Sequence, residues 1–190
     1  SSLFLGRAWC GWVCPGGGMQ EIVEPVNRKT VNPRKIDWIK WLIWIPWISI
    51  IVWFVIRAGG YTSVNFLHLT ESGVSIDEPL KYIMYYLVLG LFFLLDVALG
   101  RRGACHGICW MSPFLNAGML VGRLLHLPQM RIKAKAESCI DCKKCNSKCP
   151  MSIDVNAAVK TGSVKSYDCI LCGECVDVCP KDVLSYRKKA

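Results

Sequence analysis

The chain has 190 residues, 12 cysteines, a formal net charge of +9 and 53% apolar residues. The apolar residues are concentrated in runs, which argues against an ordinary soluble domain and for membrane segments. The cysteines also cluster, and the last eight have the spacing of metal-cluster ligands rather than of an extracellular disulfide scaffold.

Residues 1–35 are Gly-rich and basic, with a small apolar patch at Met19–Val26. They open on Ser1-Ser2-Leu3, which is neither an initiator methionine nor a signal peptide, so the natural chain is expected to begin earlier. Residues 38–57 (WIKWLIWIPWISIIVWFVIR) form an apolar run interrupted only by Lys40. As a helix it would span about 30 Å, the thickness of a bilayer core, and Pro46 would kink it. Residues 80–99 (LKYIMYYLVLGLFFLLDVAL) predict a second such helix, so the pair is expected over about 38–57 and 80–100. Trp38, Trp41, Tyr82, Tyr85 and Tyr86 lie toward the segment ends, as interfacial anchors do.

Arg28, Lys29, Arg34, Lys35 and Lys40 precede or open the first helix, and Arg101 and Arg102 follow the second. The connection, residues 58–79, carries Glu71, Asp77 and Glu78 and no Lys or Arg. The positive-inside rule then places both ends of the hairpin in the cytoplasm and the connection outside. Thiolates that bind iron must stay reduced, which puts them on the same cytoplasmic side. Residues 112–127 are apolar but short, and predict a half-helix, an interfacial helix or a re-entrant piece. Residues 131–190 turn polar, with twelve Lys/Arg against seven Asp/Glu. That excess suits an anionic leaflet, an acidic partner or plain solvation.

Within that polar region two runs repeat at a 30-residue offset: Cys139-x2-Cys142-x2-Cys145-x3-Cys149-Pro150 and Cys169-x2-Cys172-x2-Cys175-x3-Cys179-Pro180. Two-residue gaps let a tight loop wrap three corners of a cubane, and in two-cluster ferredoxins the last cysteine of each run crosses to the other cluster. The expected ligand sets are Cys139, Cys142, Cys145 and Cys179 for one [4Fe–4S] cluster, and Cys169, Cys172, Cys175 and Cys149 for the other. The competing reading, two zinc sites, would call for paired CxxC knuckles. Ile140, Ile153, Val155, Ile170, Val176 and Val178 are expected to pack around the clusters and keep water out.

Two further motifs, Arg7-x2-Cys10-x3-Cys14 and Arg102-x2-Cys105-x3-Cys109, are offset by 95 residues and indicate an internal repeat. A membrane helix precedes the second copy, so one is expected ahead of the first, before residue 1. Placed in an early helical turn, each CxxxC would put two sulfurs on one face. Cys10, Cys14, Cys105 and Cys109 are therefore a candidate third cluster, cubane or [2Fe–2S], at the membrane surface. A redox-active thiol pair, a copper or zinc site, or unmetallated cysteines are the alternatives. Arg7 and Arg102 would offset a cluster's negative charge. His106 is expected to make a hydrogen bond or lie at the surface rather than ligate, while His68 and His126 are weak signals. Asp96 is expected to pair with Arg101 or Arg102.

The stretches Arg7–Gln20 (RAWCGWVCPGGGMQ) and Arg102–Pro113 (RGACHGICWMSP), the two apolar helices and the double ferredoxin run together resemble the membrane-bound polyferredoxins. That family includes the NapH-type subunit of periplasmic nitrate reductase systems and the membrane part of NosR-type proteins. The chain departs from its pattern at Trp110, where a proline would stand. The resemblance implies a four-helix membrane module with cytoplasmic clusters, passing electrons between the cytoplasm or quinone pool and a partner oxidoreductase. The expected architecture is an α-helical membrane module over 1–130 and an α+β bicluster ferredoxin-like domain over 131–190. The expected partners are membrane lipid, other redox subunits and quinone, with no nucleic acid, and the expected location is the inner membrane of a prokaryote. No nucleophile–base pair or phosphate loop stands out, so the chain is expected to be an electron-transfer subunit rather than a catalyst alone. An assembly or regulatory factor that reduces or matures a partner metalloenzyme, and a passive anchor for a soluble enzyme, are the other readings.

Overall fold

The computed structural model of the chain describes residues 2–60 and 78–188. His68, Glu71 and Asp77 lie outside the described residues. Two long helices dominate: α4 (Pro33–Arg57) and α5 (Pro79–Leu99). Each opens on a proline, whose missing N–H costs nothing in a first turn. Both are long and apolar enough to cross a membrane, and both are almost wholly exposed along that length. Helix α4 runs unbroken through Pro46. Helix α5 stops at Gly100, whose φ of +104° suits glycine and whose α-carbon passes against the Lys29 carbonyl, leaving no room for a side chain.

Around the inner ends of these helices lie five shorter ones: α1 (Ser2–Leu5), α2 (Ala8–Trp12), α3 (Pro15–Val23), α6 (Gly103–Gly107) and α7 (Met111–Leu124). Helix α6 packs on both α4 and α5. The segment expected as a half-helix, interfacial helix or re-entrant piece is α7, a 14-residue helix that buries Leu115 and Met119 and exposes Leu120, Val121 and Leu124. Its Gly118 and Gly122, four residues apart on one face, receive α1: Ser2 packs over the first and the Leu3 carbonyl over the second. Phe114 of α7 meets Trp44 and Trp47 of α4 edge-on, at centroid distances of 5.1 and 6.2 Å.

The C-terminal region is built on one antiparallel pair, β1 (Met130–Ala134) with β2 (Leu184–Lys188), in the register Ile132 to Tyr186. Three short helices lie between the strands: α8 (Lys144–Lys148), α9 (Val155–Lys160) and α10 (Glu174–Asp177). Ile132, Met151, Val155, Val159, Ile170, Val183 and Leu184 form the core. Buried Gln129 donates to the Met119 carbonyl at 2.9 Å and fastens this region to α7. On the same side the Arg123 guanidinium lies 3.8 Å over the Tyr167 ring and donates to the Lys165 carbonyl.

Candidate metal centres

The two ferredoxin runs fold into loops that repeat each other's backbone. Asp141, Lys143 and Ser152 have φ of +53°, +55° and +51°, and Leu171, Gly173 and Asp182, thirty residues on, have +55°, +95° and +47°. Left-handed residues are uncommon outside glycine, and a bulky one such as Leu171 more so. Alternating right- and left-handed residues turn successive N–H groups toward one concave side, a backbone arrangement that suits anionic iron–sulfur centres. The first loop and the end of the second run line one pocket whose lining includes Cys139, Cys142, Cys145 and Cys179. The second loop and the end of the first run line another whose lining includes Cys149, Cys169, Cys172 and Cys175.

These donor sets fit clusters: each is four thiols, unpaired with one another and gathered on an apolar wall. Burial pushes the Cys169 thiol up to about 11 and Cys175 up to about 12, and raises Cys149 and Cys172 as well. Buried thiols become ligands only where a metal's charge replaces the proton.

The second four-cysteine group forms where the long helices end. Cys10 lies in α2 and Cys105 in α6, both buried. Their partners do not share those helical turns, contrary to the expected one-faced CxxxC. Each short helix ends between its two cysteines, because the chain closes with a wider turn. Val13 and Cys14 both donate to the Trp9 carbonyl, and Ile108 and Cys109 both donate to the Ala104 carbonyl. The two closures match at the 95-residue offset, so the repeat is one of backbone geometry as well as of sequence. A helix follows each closure, α3 after Cys14 and α7 after Trp110, despite the exchange of proline for tryptophan.

The Cys105 and Cys109 thiols interact directly. A hydrogen bond to the Cys109 sulfur holds Cys105 well above the ordinary thiol range and draws Cys109 down to about 7. Cys10 is raised by burial, against the pull of Arg7. The Gln20 amide donates to the Cys105 sulfur at 3.1 Å, and Arg102 donates to the Cys10 carbonyl at 2.9 Å. Arg7 Nε and Nη2 and Arg102 Nε are buried with no hydrogen-bond partner among the described residues. Orphaned buried donors are costly, and sulfur ligands of a cluster would satisfy them. A thiolate-ligated centre therefore fits this group too.

Asp37 and Asp168, passed over in the sequence, complete the setting. Arg7 Nη1 lies 2.8 Å from Asp168 Oδ1, and Lys40 Nζ reaches the same oxygen at 3.2 Å and Asp37 at 3.4 Å. His106 Nδ1 lies 2.7 Å from Asp37 Oδ1, so this histidine is buried in a hydrogen bond and not at the surface. Asp37, His106 and Asp168 gather three metal-type donors within 4.8 Å. Lys40 and Arg7 already hold both carboxylates, which makes the group a buried ion network and not a cation site. The signal for it was Lys40: a lysine inside an apolar run needs a buried counter-charge. Asp96 forms no ion pair with Arg101 or Arg102. Its carboxylate accepts the Ala104 N–H at 3.0 Å, because it lies beneath the open start of α6, while Arg101 and Arg102 turn to Glu24 and Glu21.

The cysteine group at the helix ends and the second cavity meet directly. A side chain at Gly11 would come within 2.5 Å of the Ile170 carbonyl, so only glycine allows the contact. Trp12 Nε1 donates to the Leu171 carbonyl at 2.9 Å.

Residues 1–33 match a family model described as a 4Fe-4S binding domain, and residues 115–154 and 138–184 each match one described as a 4Fe-4S dicluster domain. The chain is 29% identical to YccM of Escherichia coli over 195 residues, covering 94% of this chain and 50% of that protein. It is 29% identical over 184 residues to the methylamine utilization ferredoxin-type protein MauN of Methylorubrum extorquens, covering 94% and 60%. It is 25% identical over 193 residues to the ferredoxin-type protein NapH of Escherichia coli, covering 94% and 61%. The chain thus spans half to about three-fifths of these relatives. No solved structure matches it.

Proposed function

The chain belongs to the NapH-type polyferredoxin family, and from that premise we propose that it is a membrane-anchored subunit that relays single electrons between a cytoplasmic carrier and a membrane redox partner. Iron–sulfur electron transfer is the role its 4Fe-4S domains and ferredoxin-type relatives support. In this reading residues 1–130 are the membrane module and 131–190 the ferredoxin-like domain. Cys139, Cys142, Cys145 and Cys179 hold the first cluster and Cys149, Cys169, Cys172 and Cys175 the second. Cys10, Cys14, Cys105 and Cys109 hold a third centre. Bound clusters supply reversible one-electron storage, and the protein positions and tunes them.

The observation that carries the reading is the contact of the second loop with α2 through Gly11, Trp12 and Arg7. It sets the inner ferredoxin cysteines against the cysteines at the helix ends, with no solvent layer between the two backbones. The basic residues at both ends of the hairpin favour a cytoplasmic ferredoxin domain in an inner membrane, with 58–79 on the far side.

Iron counting tests it. Anaerobically purified protein is expected to hold about twelve irons, three cubanes' worth. Changing Cys10 and Cys105 to Ser is expected to remove about four of them and to spare the two ferredoxin EPR signals. A wild-type count near eight refutes the third centre.

A further inference from the structure

Two buried guanidinium groups act on the cysteine group at the helix ends, and each also pairs with a carboxylate. Arg7 is 0% exposed and Arg102 3%. The carboxylate paired with Arg7 belongs to Asp168, next in sequence to Cys169 and so part of the second loop. The carboxylate paired with Arg102 belongs to Glu21, whose side chain is 50% exposed. Water screens that anion far more than it screens the arginine. Lys40 adds a second cation to Asp168, but Asp37 balances it. Among the described residues no carboxylate pairs with or hydrogen-bonds any of the four helix-end cysteines. The second loop, by contrast, carries Asp168 beside Cys169 and Glu174 beside Cys175.

We infer that Arg7 and Arg102 set the direction of electron flow, by making the Cys10/Cys14/Cys105/Cys109 site the electron sink of the chain. The inference rests on the relay reading above and adds a direction to it. A centre ligated by four thiolates becomes more negative when it gains an electron. Fixed positive charge in a dry site stabilises that reduced form, and Coulomb terms are large there because little water screens them. Glu174 acts the opposite way on the second site, while the charge of Asp168 is already matched by Arg7 and Lys40. One electron leaves the second site, which is oxidised, and reduces the helix-end site; no bond or proton changes place. Arg7 and Arg102 are thus tuning residues, and the unpartnered Nε and Nη2 of Arg7 and Nε of Arg102 are the donors a sulfur ligand would use.

The test is an anaerobic redox titration of the full chain in lipid nanodiscs, with dithionite as reductant and EPR as readout. The signal that Cys10→Ser and Cys105→Ser abolish is expected to have the highest midpoint potential in the protein. Arg7→Gln is expected to lower it, cutting the site's equilibrium share of the electron by about tenfold, ~59 mV for one electron. Asp168→Asn, which removes the counter-ion, is expected to raise it. Glu21→Gln, which removes the half-exposed counter-ion of Arg102, is expected to raise it less. A purely structural ion pair would shift or broaden the signal in one direction whichever half is removed, so opposite signs are the diagnostic. A helix-end signal at the lowest potential, or the same sign for Arg7→Gln and Glu21→Gln at full iron content, overturns the inference and leaves the relay standing. A wild-type count of eight irons overturns both.

Discussion

The two ferredoxin cavities descend from one repeated sequence and end in opposite surroundings. Ile140 and Ile170 occupy the same place in the two runs, yet Ile140 is 58% exposed and Ile170 2%. The first cavity opens outward: Cys142 is exposed, and Lys143, Lys144 and Lys181 stand at its rim. The second loop lies against α2 through Gly11 and Trp12, and Cys149 and Cys175 of its site are buried. A motif fixes which thiols converge. What lies against that motif decides whether the site faces water or the next centre in line. In the proposed relay one half of the domain is the port and the other the junction.

The largest expected expression of this contrast is thiol reactivity in the iron-free chain. Thiolate is the reactive form, and Cys175 is pushed up to about 12 and Cys169 up to about 11 by burial. At pH 8 the Cys175 thiolate fraction is on the order of 10⁻⁴. An alkylating reagent followed by peptide mass mapping is expected to mark exposed Cys142 first and Cys175 slower by roughly two orders of magnitude or more. Because a raised thiol pKa means the proton is held, labelling of Cys175 is expected to quicken about tenfold for each pH unit between 8 and 10. Equal rates at Cys142 and Cys175 would mean the second cavity is as open as the first.

Next comes the pair of isoleucines. Ile170→Ala removes buried methylenes from a packed core and is expected to cost about 2–5 kcal/mol. Ile140→Ala, at an exposed position, is expected to stay within about 0.5 kcal/mol. Thermal loss of cluster absorbance in the two variants, compared with wild type, gives the ranking. Similar shifts would show that the covering by α2 does not persist in solution.

The family, the iron–sulfur character and the two long apolar helices were legible because each rests on local pattern: cysteine spacing, or an unbroken apolar run. Helix α5 came within one residue of the expected 80–100 at either end, while α4 begins at Pro33, five residues ahead of the expected 38, because its polar first turn lacks the apolar run that marked it. The turn geometry of the CxxxC motifs was not legible. A helix that closes between two cysteines looks, in sequence, like one that continues through them. Nor was the ion network. Asp37, Lys40, His106 and Asp168 come from three distant stretches, and only Lys40 carried a local sign of a missing partner. The same limit hid Asp96 under α6: a carboxylate beside two arginines invites an ion pair, whereas the chain bends so that the nearest donor is a backbone N–H. Whether the groups of four cysteines hold iron is what the iron count decides.

The smallest effect tests whether the outward half stands independently of the two long helices and the short ones packed on them. Asp154 caps α9, accepting the Ala157 N–H at 3.0 Å and the Asn146 amide at 2.8 Å. No counterpart exists in the second half, where the position thirty residues on is Leu184 of β2. Losing such a cap costs about 1 kcal/mol, so Asp154→Ala is expected to lower stability by that amount at neutral pH. The hydrogen bond from Ala157 is the leading cause that holds the Asp154 carboxyl below its ordinary value. A carboxyl depressed in the folded state stabilises fully above its unfolded pKa, near 4, and loses that contribution as pH falls through the lower folded value. The gap between Asp154→Ala and wild type, read by denaturant titration of the iron-free full chain, is therefore expected to be largest above about pH 5 and to close toward pH 3. Because the cap touches only the outward half, the EPR signal of the helix-end cysteines is expected to be unchanged in this variant. A change there would mean that the port and the junction unfold as one unit, and that the separation between them is one of exposure alone.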